Sequence, residues 1–119
     1  MKKIRTLKKN YEFKNVLNNR KFYSGKQITI YINRNKLNEN VIGIAVSSKS
    51  GKAVRRNHVK RLIRENYYNK KIQLKRGYNI VFVWNRKIDI KNANYHVIES
   101  DMEKIFEKLK ILNKDEKNK

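Results

Sequence analysis

Positions 52–65 carry the residues with the most evident chemistry, in the sequence KAVRRNHVKRLIRE. On a helix, which turns about 100° per residue, the apolar side chains of this segment share one arc and are expected to pack on a sheet. An adjoining arc collects the polar side chains: Arg56, Asn57, Lys60, Arg61 and Arg64. Guanidinium groups bind phosphate through a planar fork. This pattern predicts a helix that binds nucleic acid.

A solvated charged surface is the alternative interpretation of this helix. Such a surface normally mixes both signs of charge, whereas the charged positions of this arc are all cationic. Arg56, Lys60 and Arg64 recur at every fourth position, so each neighbouring pair costs roughly 0.2–0.5 kcal/mol in repulsion unless a polyanion opposes it. The whole chain has 31 Lys and Arg against 10 Asp and Glu, a formal net charge of +21. Nucleic acid is therefore the expected partner.

The loop before the basic helix, SSKSGK, invites comparison with the phosphate-binding P-loop of nucleotide hydrolases. That motif, G-x-x-x-x-G-K-[ST], needs a glycine where Val46 stands and a serine or threonine where Ala53 stands. A nucleotide hydrolase is therefore not expected. Ser50, Gly51 and the free N–H groups at the start of the helix can still hold one backbone phosphate.

The spacing of acids, bases and nucleophiles does not predict a protein active site. His58 and His96 stand apart from other metal ligands, so both are expected at the surface and no metal site is predicted. Acidic residues on the last predicted helix follow the spacing of a solvated surface: Glu99, Asp101, Glu103 and Glu107. A nuclease acting alone would need carboxylates or histidines placed together, which this sequence does not supply.

Length and composition predict one compact domain. The chain has 119 residues, 39% of them hydrophobic, which is adequate for a buried core. We place this domain at 1–113 and expect the polar positions 114–119 to form a disordered tail. The sequence has no cysteine, no secretory signal and no apolar run near the ~20 residues that span a bilayer. A cytoplasmic protein without a membrane partner is expected.

The first predicted helix follows a basic arm at 2–9. Asn10 is expected to cap this helix, which should end near 18–20. Its apolar residues follow the i, i+3, i+4 spacing: Phe13, Val16 and Leu17. Phe13 at this spacing is compatible with a place in the core or with a platform for RNA.

Two strands are predicted next, at 27–33 and 41–47, and are expected to pair as a hairpin across a polar loop. Strict alternation puts one set of side chains of the first strand on the core side: Ile28, Ile30 and Ile32. Tyr31 faces the other way, either packed under the first helix or open to a cleft. The second strand also presents one apolar side: Ile42, Ile44 and Val46.

The basic helix is expected to run to about Tyr68. The apolar stretch 78–84 predicts a central strand with Trp84 in the core. A last amphipathic helix should run from its cap Asn94 to Leu112. This αββαβα order predicts an α+β fold with a single sheet and covering helices. The strands on either side of the basic helix are expected to pair in parallel, by the general rule through a right-handed crossover.

The motif K-x-G-x-A-V-x-R-N-x-x-K-R-x-x-R resembles the signature of the protein component of bacterial ribonuclease P. It is carried here by Lys49, Gly51, Ala53, Val54, Arg56, Asn57, Lys60, Arg61 and Arg64. Further matches are R-x-L-K-K-N-x-x-F near the start, the strand ending at Tyr31, and V-x-G-I-x-V-S over 41–47. The resemblance covers nearly the whole chain.

The resemblance implies a small protein that assists a catalytic RNA in removing the 5′ leader from precursor tRNA. It makes the chain a subunit of an endoribonuclease whose chemistry belongs to the RNA, with Mg²⁺ held mainly by the RNA and no cofactor bound tightly by the protein. No obligate protein partner is implied. The family order is αβββαβα with a left-handed crossover around the basic helix, and we prefer this expectation to the general rule.

The resemblance also implies roles for particular residues. The residues expected to bind the catalytic RNA are Lys49, Lys52, Arg56, Asn57, Lys60, Arg61 and Arg64. Those expected to line the cleft for the single-stranded leader are Phe13, Leu17 and Tyr31. Leu17 departs from the aromatic residue that relatives often have there, and Ser48 and Ser50 stand where a basic and an apolar residue are common. A ribosomal or other structural RNA-binding protein is the alternative function, separated from the first by the motif.

Overall fold

The computed structural model describes residues 4–19, 21–70 and 73–113. The predicted tail at 114–119 and the first positions of the basic arm lie outside these residues. Within them the chain forms three helices and one four-stranded sheet. The elements in chain order are α1 (Asn10–Leu17), β1 (Phe22–Ser24), β2 (Ile28–Arg34), β3 (Val41–Ala45), α2 (Ala53–Lys70), β4 (Tyr78–Trp84) and α3 (Tyr95–Leu109). This is the expected α+β fold in the αβββαβα order, with β1 as a strand that the residue pattern alone did not predict.

The strands lie in the order β1-β2-β4-β3. The predicted hairpin of β2 with β3 is wrong, because β4 lies between them, antiparallel to β2 and parallel to β3. β4 is apolar on both sides and pairs with β2 along its full length, from Ile28 opposite Trp84 to Arg34 opposite Tyr78. A strand with two apolar sides is most stable inside the sheet. The parallel pairing predicted across α2 is confirmed, while the hand of the crossover stays a prediction.

The side of the sheet covered by α2 and α3 forms the main core. The three isoleucines of β2 are fully buried there, as alternation predicted. α2 contributes Val59, Ile63 and Tyr67, and burial raises the pKa of the Tyr67 hydroxyl to about 12. Trp84 is buried as expected, and its Nε1 donates a hydrogen bond to the carbonyl of Ile88 at 3.1 Å. The apolar arc of the basic helix therefore fixes the rotation of α2 on the sheet.

α1 covers part of the opposite side of the sheet. Its Val16 is fully buried, together with Val81 of β4. The predicted cap at Asn10 is wrong by one residue, because Lys9 is the N-cap and Asn10 is already helical. The Glu12 carboxylate accepts hydrogen bonds from the backbone N–H groups of Lys8 and Lys9, both at 2.9 Å, and these hold its pKa below the usual value. A carboxylate in the first turn of α1 therefore caps the two backbone N–H groups that precede the helix.

α3 begins as predicted and ends earlier than predicted. The side chain of Asn94 caps it by accepting hydrogen bonds from the N–H groups of His96 and Val97. The helix stops at Leu109 because Lys110 adopts a left-handed conformation, with φ of 62°. Leu112 therefore lies outside the helix, where it is buried and forms an isolated bridge with Leu74.

One acidic residue of α3 is misplaced by the sequence interpretation. Asp101 was expected on a solvated surface with the other acids, but it is 5% exposed and its carboxylate accepts hydrogen bonds from backbone N–H groups at the start of β2. Buried carboxylates need such partners, since an unpaired one costs several kcal/mol. Asp101 therefore belongs to the packing between α3 and the sheet.

The described part of the basic arm pairs with the outer edge of β3. Leu7 donates its N–H to the carbonyl of Ile42 at 2.8 Å, and Ile42 donates to the carbonyl of Arg5 at 3.0 Å. This segment covers the β3 edge of the sheet, while β1 lies at the other edge.

Candidate nucleic-acid interface

A groove runs between the first half of α2 and the segment 89–93. Of the residues predicted to bind the catalytic RNA, it is lined by Lys52, Asn57, Arg61 and Arg64. Sequence reasoning missed three further basic or titratable residues in its lining: Arg55, His58 and Lys91. Arg55 and His58 lie on the same helix and were detectable there. Lys91 comes to the groove through tertiary packing, for which the sequence offers no local signal.

Three other predicted residues lie outside this groove. Arg56 is half-buried, and its Nε donates a hydrogen bond to the carbonyl of Gly51 at 3.1 Å, which ties the helix to the preceding loop. Lys60 is half-buried on the neighbouring side of α2. Lys49 is exposed in a short 3-10 turn at Ser48–Ser50. The structure therefore spreads the predicted residues over a surface wider than the groove.

Acidic residues do little to neutralise this surface. Positions 53–64 contain no Asp or Glu. Glu65 lies 3.8 Å from the Nε of Arg61, but both side chains are more than half exposed, and such pairs contribute about 0–1 kcal/mol. Asp89 also lines the groove, where its Oδ1 accepts a hydrogen bond from the N–H of Lys91. The surface retains a strong positive potential that suits a phosphate backbone.

A second candidate surface lies on the α1 side of the sheet. Strand register places four residues in one transverse row on that side: Gly43, Val81, Tyr31 and Phe22. Phe13 of α1 lies over the β3 end of this row, so close that a Cβ at Gly43 would stand 2.5 Å from a ring carbon of Phe13. Glycine leaves room for the Phe13 ring here, because any side chain would force that ring to move.

Each residue predicted to line the leader cleft is half-buried: Phe13, Leu17 and Tyr31. Phe13 and Leu17 lie one turn apart on α1, and Tyr31 lies on the sheet beneath that helix layer. The ring of Phe13 packs on β3 and a fraction of it stays accessible, so its role as an RNA platform stays a prediction. Tyr31 faces away from the isoleucine core, as alternation predicted.

The ring of Phe22 stacks on the ring of Tyr31, with centroids 4.8 Å apart and planes inclined by 27°. Phe22 is 44% exposed. Sequence reasoning missed it because β1 has three residues, too few to show a period. The adjacent aromatic pair Phe22 and Tyr23 between turn-prone residues was the available signal.

Polar side chains flank the aromatic row on both sides. On one side the amide of Asn79 donates to the side-chain oxygen of Asn33 at 2.9 Å. On the other side the hydroxyl of Thr29 lies 2.9 Å from that of Ser24 and donates to Asn85 Oδ1 at 2.7 Å. These cross-strand contacts hold this part of the sheet surface in a fixed arrangement.

The described residues contain no group of three His, Cys, Asp or Glu side chains that could hold a metal ion. His58 and His96 are both exposed, as the sequence predicted. None of the described helices is long and apolar enough to cross a membrane.

Comparison with known proteins decides the family. The family profile described as Ribonuclease P matches residues 1–110. A ribonuclease P protein component from Thermoanaerobacter sp. (strain X514) is 37% identical over 116 residues, which cover 98% of each chain. Another from Clostridium botulinum (strain 657 / Type Ba4) is 41% identical over 108 residues, which cover 90% of this chain and 96% of the relative. The chain belongs to the ribonuclease P protein family.

Solved structures from this family share the fold. The RNase P protein of Staphylococcus aureus superposes with a TM-score of 0.79 at 28% identity, covering 93% of this chain and 100% of that chain. The RNase P protein of Thermotoga maritima has a TM-score of 0.73 over 83% of this chain and 92% of that chain, and at 23% identity it supports the fold alone. This chain is accordingly the protein subunit of the ribonucleoprotein endonuclease ribonuclease P, and its partner is RNA. The alternative of a ribosomal or other structural RNA-binding protein is not favoured.

Proposed function

We propose that this subunit binds the catalytic RNA of ribonuclease P through α2 and the single-stranded 5′ leader of precursor tRNA through the cleft under α1. The observation that carries this proposal is the presence of two surfaces of different chemistry on one small domain. One is cationic and suits a phosphate backbone, and the other has an aromatic floor and suits unpaired bases.

The cationic surface of α2 is assigned to the catalytic RNA. Its contributors are Lys49, Lys52, Arg56, Asn57, Lys60, Arg61 and Arg64. Arginine and lysine that neutralise phosphates release counterions, so binding through this surface weakens steeply as salt increases. The helix is held in one rotation by its buried side, so its backbone needs no reordering on binding. Each exposed lysine or arginine side chain that becomes ordered still costs about 0.5–1.5 kcal/mol.

The cleft is assigned to the leader. Phe13, Leu17 and Tyr31 line it, and base stacking on an aromatic ring contributes about 1–3 kcal/mol per base without requiring a particular base. Leu17 offers apolar contact in place of stacking. Leaders of different sequence are therefore expected to bind with similar affinity.

The chemistry of cleavage is assigned to the RNA, with Mg²⁺ ions stabilising the attacking and leaving oxygens. The described residues offer no dedicated ligand set for these ions. The protein contributes binding, because its cations offset the repulsion between the two RNA backbones.

A reconstitution experiment tests this assignment. Precursor tRNA is incubated at low Mg²⁺ with the protein alone, with a bacterial ribonuclease P RNA alone, and with both. We expect no cleavage by the protein, little by the RNA, and efficient cleavage by the two together. Cleavage by purified protein without RNA would overturn the proposal.

A further inference from the structure

The geometry points to a further nucleotide subsite on the outer side of Phe22, which takes the next unpaired base of the leader beyond the cleft residue Tyr31. This inference rests on the proposed leader site and extends it to the free edge of the sheet. It adds a residue to which neither the family resemblance nor the cleft assignment gives a role.

Phe22 occupies an edge position in the sheet. β1 is the edge strand, and Phe22 pairs directly with Tyr31 of β2. Directly paired side chains in an antiparallel sheet stand on the same side, so both rings face the α1 side. Beyond Phe22 in this row no further strand follows in the described sheet. One face of the Phe22 ring therefore meets Tyr31, and the other faces the open edge.

The Phe22 ring is held in a fixed orientation. The stack on Tyr31, with centroids 4.8 Å apart, holds the Phe22 ring although 44% of the residue is exposed. A solitary exposed aromatic residue is common and carries no argument. An exposed ring held in a stack on a second ring is instead a preformed stacking platform, and a base added to it continues the same stack.

The ligand that fits the Phe22 ring is an unpaired base. An unpaired base presents a flat aromatic face and can lie on the outer face of Phe22, whereas a paired base has its faces covered by its neighbours. The hydroxyl of Ser24 lies on the same side of β1, and the cationic residues of the chain favour a polyanion throughout. These features together select single-stranded RNA, which the leader provides.

Tyr23 provides a matched control. It is the next residue on β1 and is also 44% exposed. Its register partner is Ile30, so it lies on the opposite side of the sheet, where Lys108 Nζ stands 5.8 Å from its ring. An alanine at either position removes an exposed aromatic ring from β1. Only Phe22 lies on the side of the sheet that carries Tyr31.

The test measures equilibrium binding of the holoenzyme, formed from this chain and a ribonuclease P RNA, to precursors whose leaders lengthen one nucleotide at a time. We expect the parent affinity to rise in steps with leader length. Phe22→Ala should abolish one late step, a loss of about fivefold or more, and keep the earlier steps. Phe22→Trp should retain that step, and Tyr23→Ala should match the parent at every length.

An abasic nucleotide at the leader position that adds this step provides a second readout. It should weaken binding by the parent holoenzyme and leave binding by Phe22→Ala unchanged. The subsite is overturned if Phe22→Ala binds every leader like the parent, or if it loses affinity equally for the shortest leaders, since Phe22 would then act by holding Tyr31. A parent holoenzyme without any leader-dependent affinity would overturn the proposed function itself, and the subsite with it.

Discussion

The Asp101 carboxylate on α3 accepts a hydrogen bond from the backbone N–H of Gln27, with Oδ2 2.7 Å from the nitrogen. The same carboxylate accepts from the N–H groups of Lys26 at 2.8 Å and Ile28 at 3.1 Å. These residues form the turn into β2, the strand that carries Tyr31. The helix on the core side of the sheet therefore fixes the β1–β2 hairpin, which carries Phe22 and Tyr31.

Asp101→Asn should lower the free energy of unfolding by about 1–3 kcal/mol, because the amide keeps the size of the side chain but turns one acceptor into a donor that faces a backbone N–H. Urea denaturation measures this difference. Glu107→Gln is the matched control on the exposed side of the same helix, and we expect a change within about 0.5 kcal/mol. An Asn variant as stable as the parent would show that the three hydrogen bonds contribute little.

Gly25→Ala should also destabilise the protein, because a Cβ at this position would clash with the Asp101 side chain, 2.5 Å from Oδ1 and 2.8 Å from Cβ. Overpacking of this kind typically costs about 1–3 kcal/mol. Asp101→Ala removes the two carboxylate contacts of this clash and leaves the contact of 2.8 Å with the Cβ of residue 101, so Gly25→Ala should cost less in that background than in the parent. Additive effects in this double-mutant cycle would contradict the contact.

Much of the architecture was predictable because its signals are local. Alternation placed the isoleucines of β2 in the core, helical spacing gave the length and buried side of α2, and Asn94 marked the start of α3. The pairing of strands was not predictable in this way. The sequence indicates that β4 is apolar on both sides, but its insertion between β2 and β3 follows from packing over the whole sheet, which no single segment encodes.

The same distinction between local signals and tertiary packing applies to the candidate sites. The cationic surface of α2 was predicted, because every predicted residue on the helix belongs to one helical segment. Phe22 and Lys91 were missed, because each reaches its site through tertiary contacts. Asp101 was assigned to a solvated surface since it lies among acids on a helix, and its burial depends on the β1–β2 turn 73 to 75 residues away in sequence.

Arg64→Ala should weaken binding of the catalytic RNA and reduce the slope of log K against log salt by about one ion, because one phosphate contact is lost. The fold should survive, since Arg64 is exposed and its removal relieves repulsion with Lys60. Lys36→Ala, an exposed cation in the loop between β2 and β3, is the charge-matched control and should leave the slope nearly unchanged. Equal slopes for the parent and Arg64→Ala in a salt titration would remove Arg64 from the RNA surface.

Arg56→Ala should differ from Arg64→Ala in one respect. The Arg56 guanidinium also bonds the carbonyl of Gly51, so its loss frees the loop before α2 as well as a cation. We expect a larger loss of RNA affinity than for Arg64→Ala, together with faster amide hydrogen exchange at positions 48–52. Unchanged exchange in this loop would mean that the hydrogen bond does not order it.

Tyr31→Ala should weaken binding of precursor tRNA by roughly fivefold or more and leave mature tRNA nearly unaffected, because stacking of one base is lost. Loss of packing with Phe22 is the confounding effect, so circular dichroism must show an intact fold at the assay temperature. If both substrates lost affinity equally, or neither did, Tyr31 would be a packing residue and not part of the leader site.

The most direct test of the account compares precursor and mature tRNA binding to the catalytic RNA, with and without this chain, at one fixed concentration of salt and Mg²⁺. The account predicts that the protein tightens binding of the precursor by about tenfold or more and changes binding of mature tRNA by much less, since two or more stacked or apolar contacts go to the leader alone. An equal gain for both substrates, or no gain for either, would contradict the claim that this subunit binds the leader.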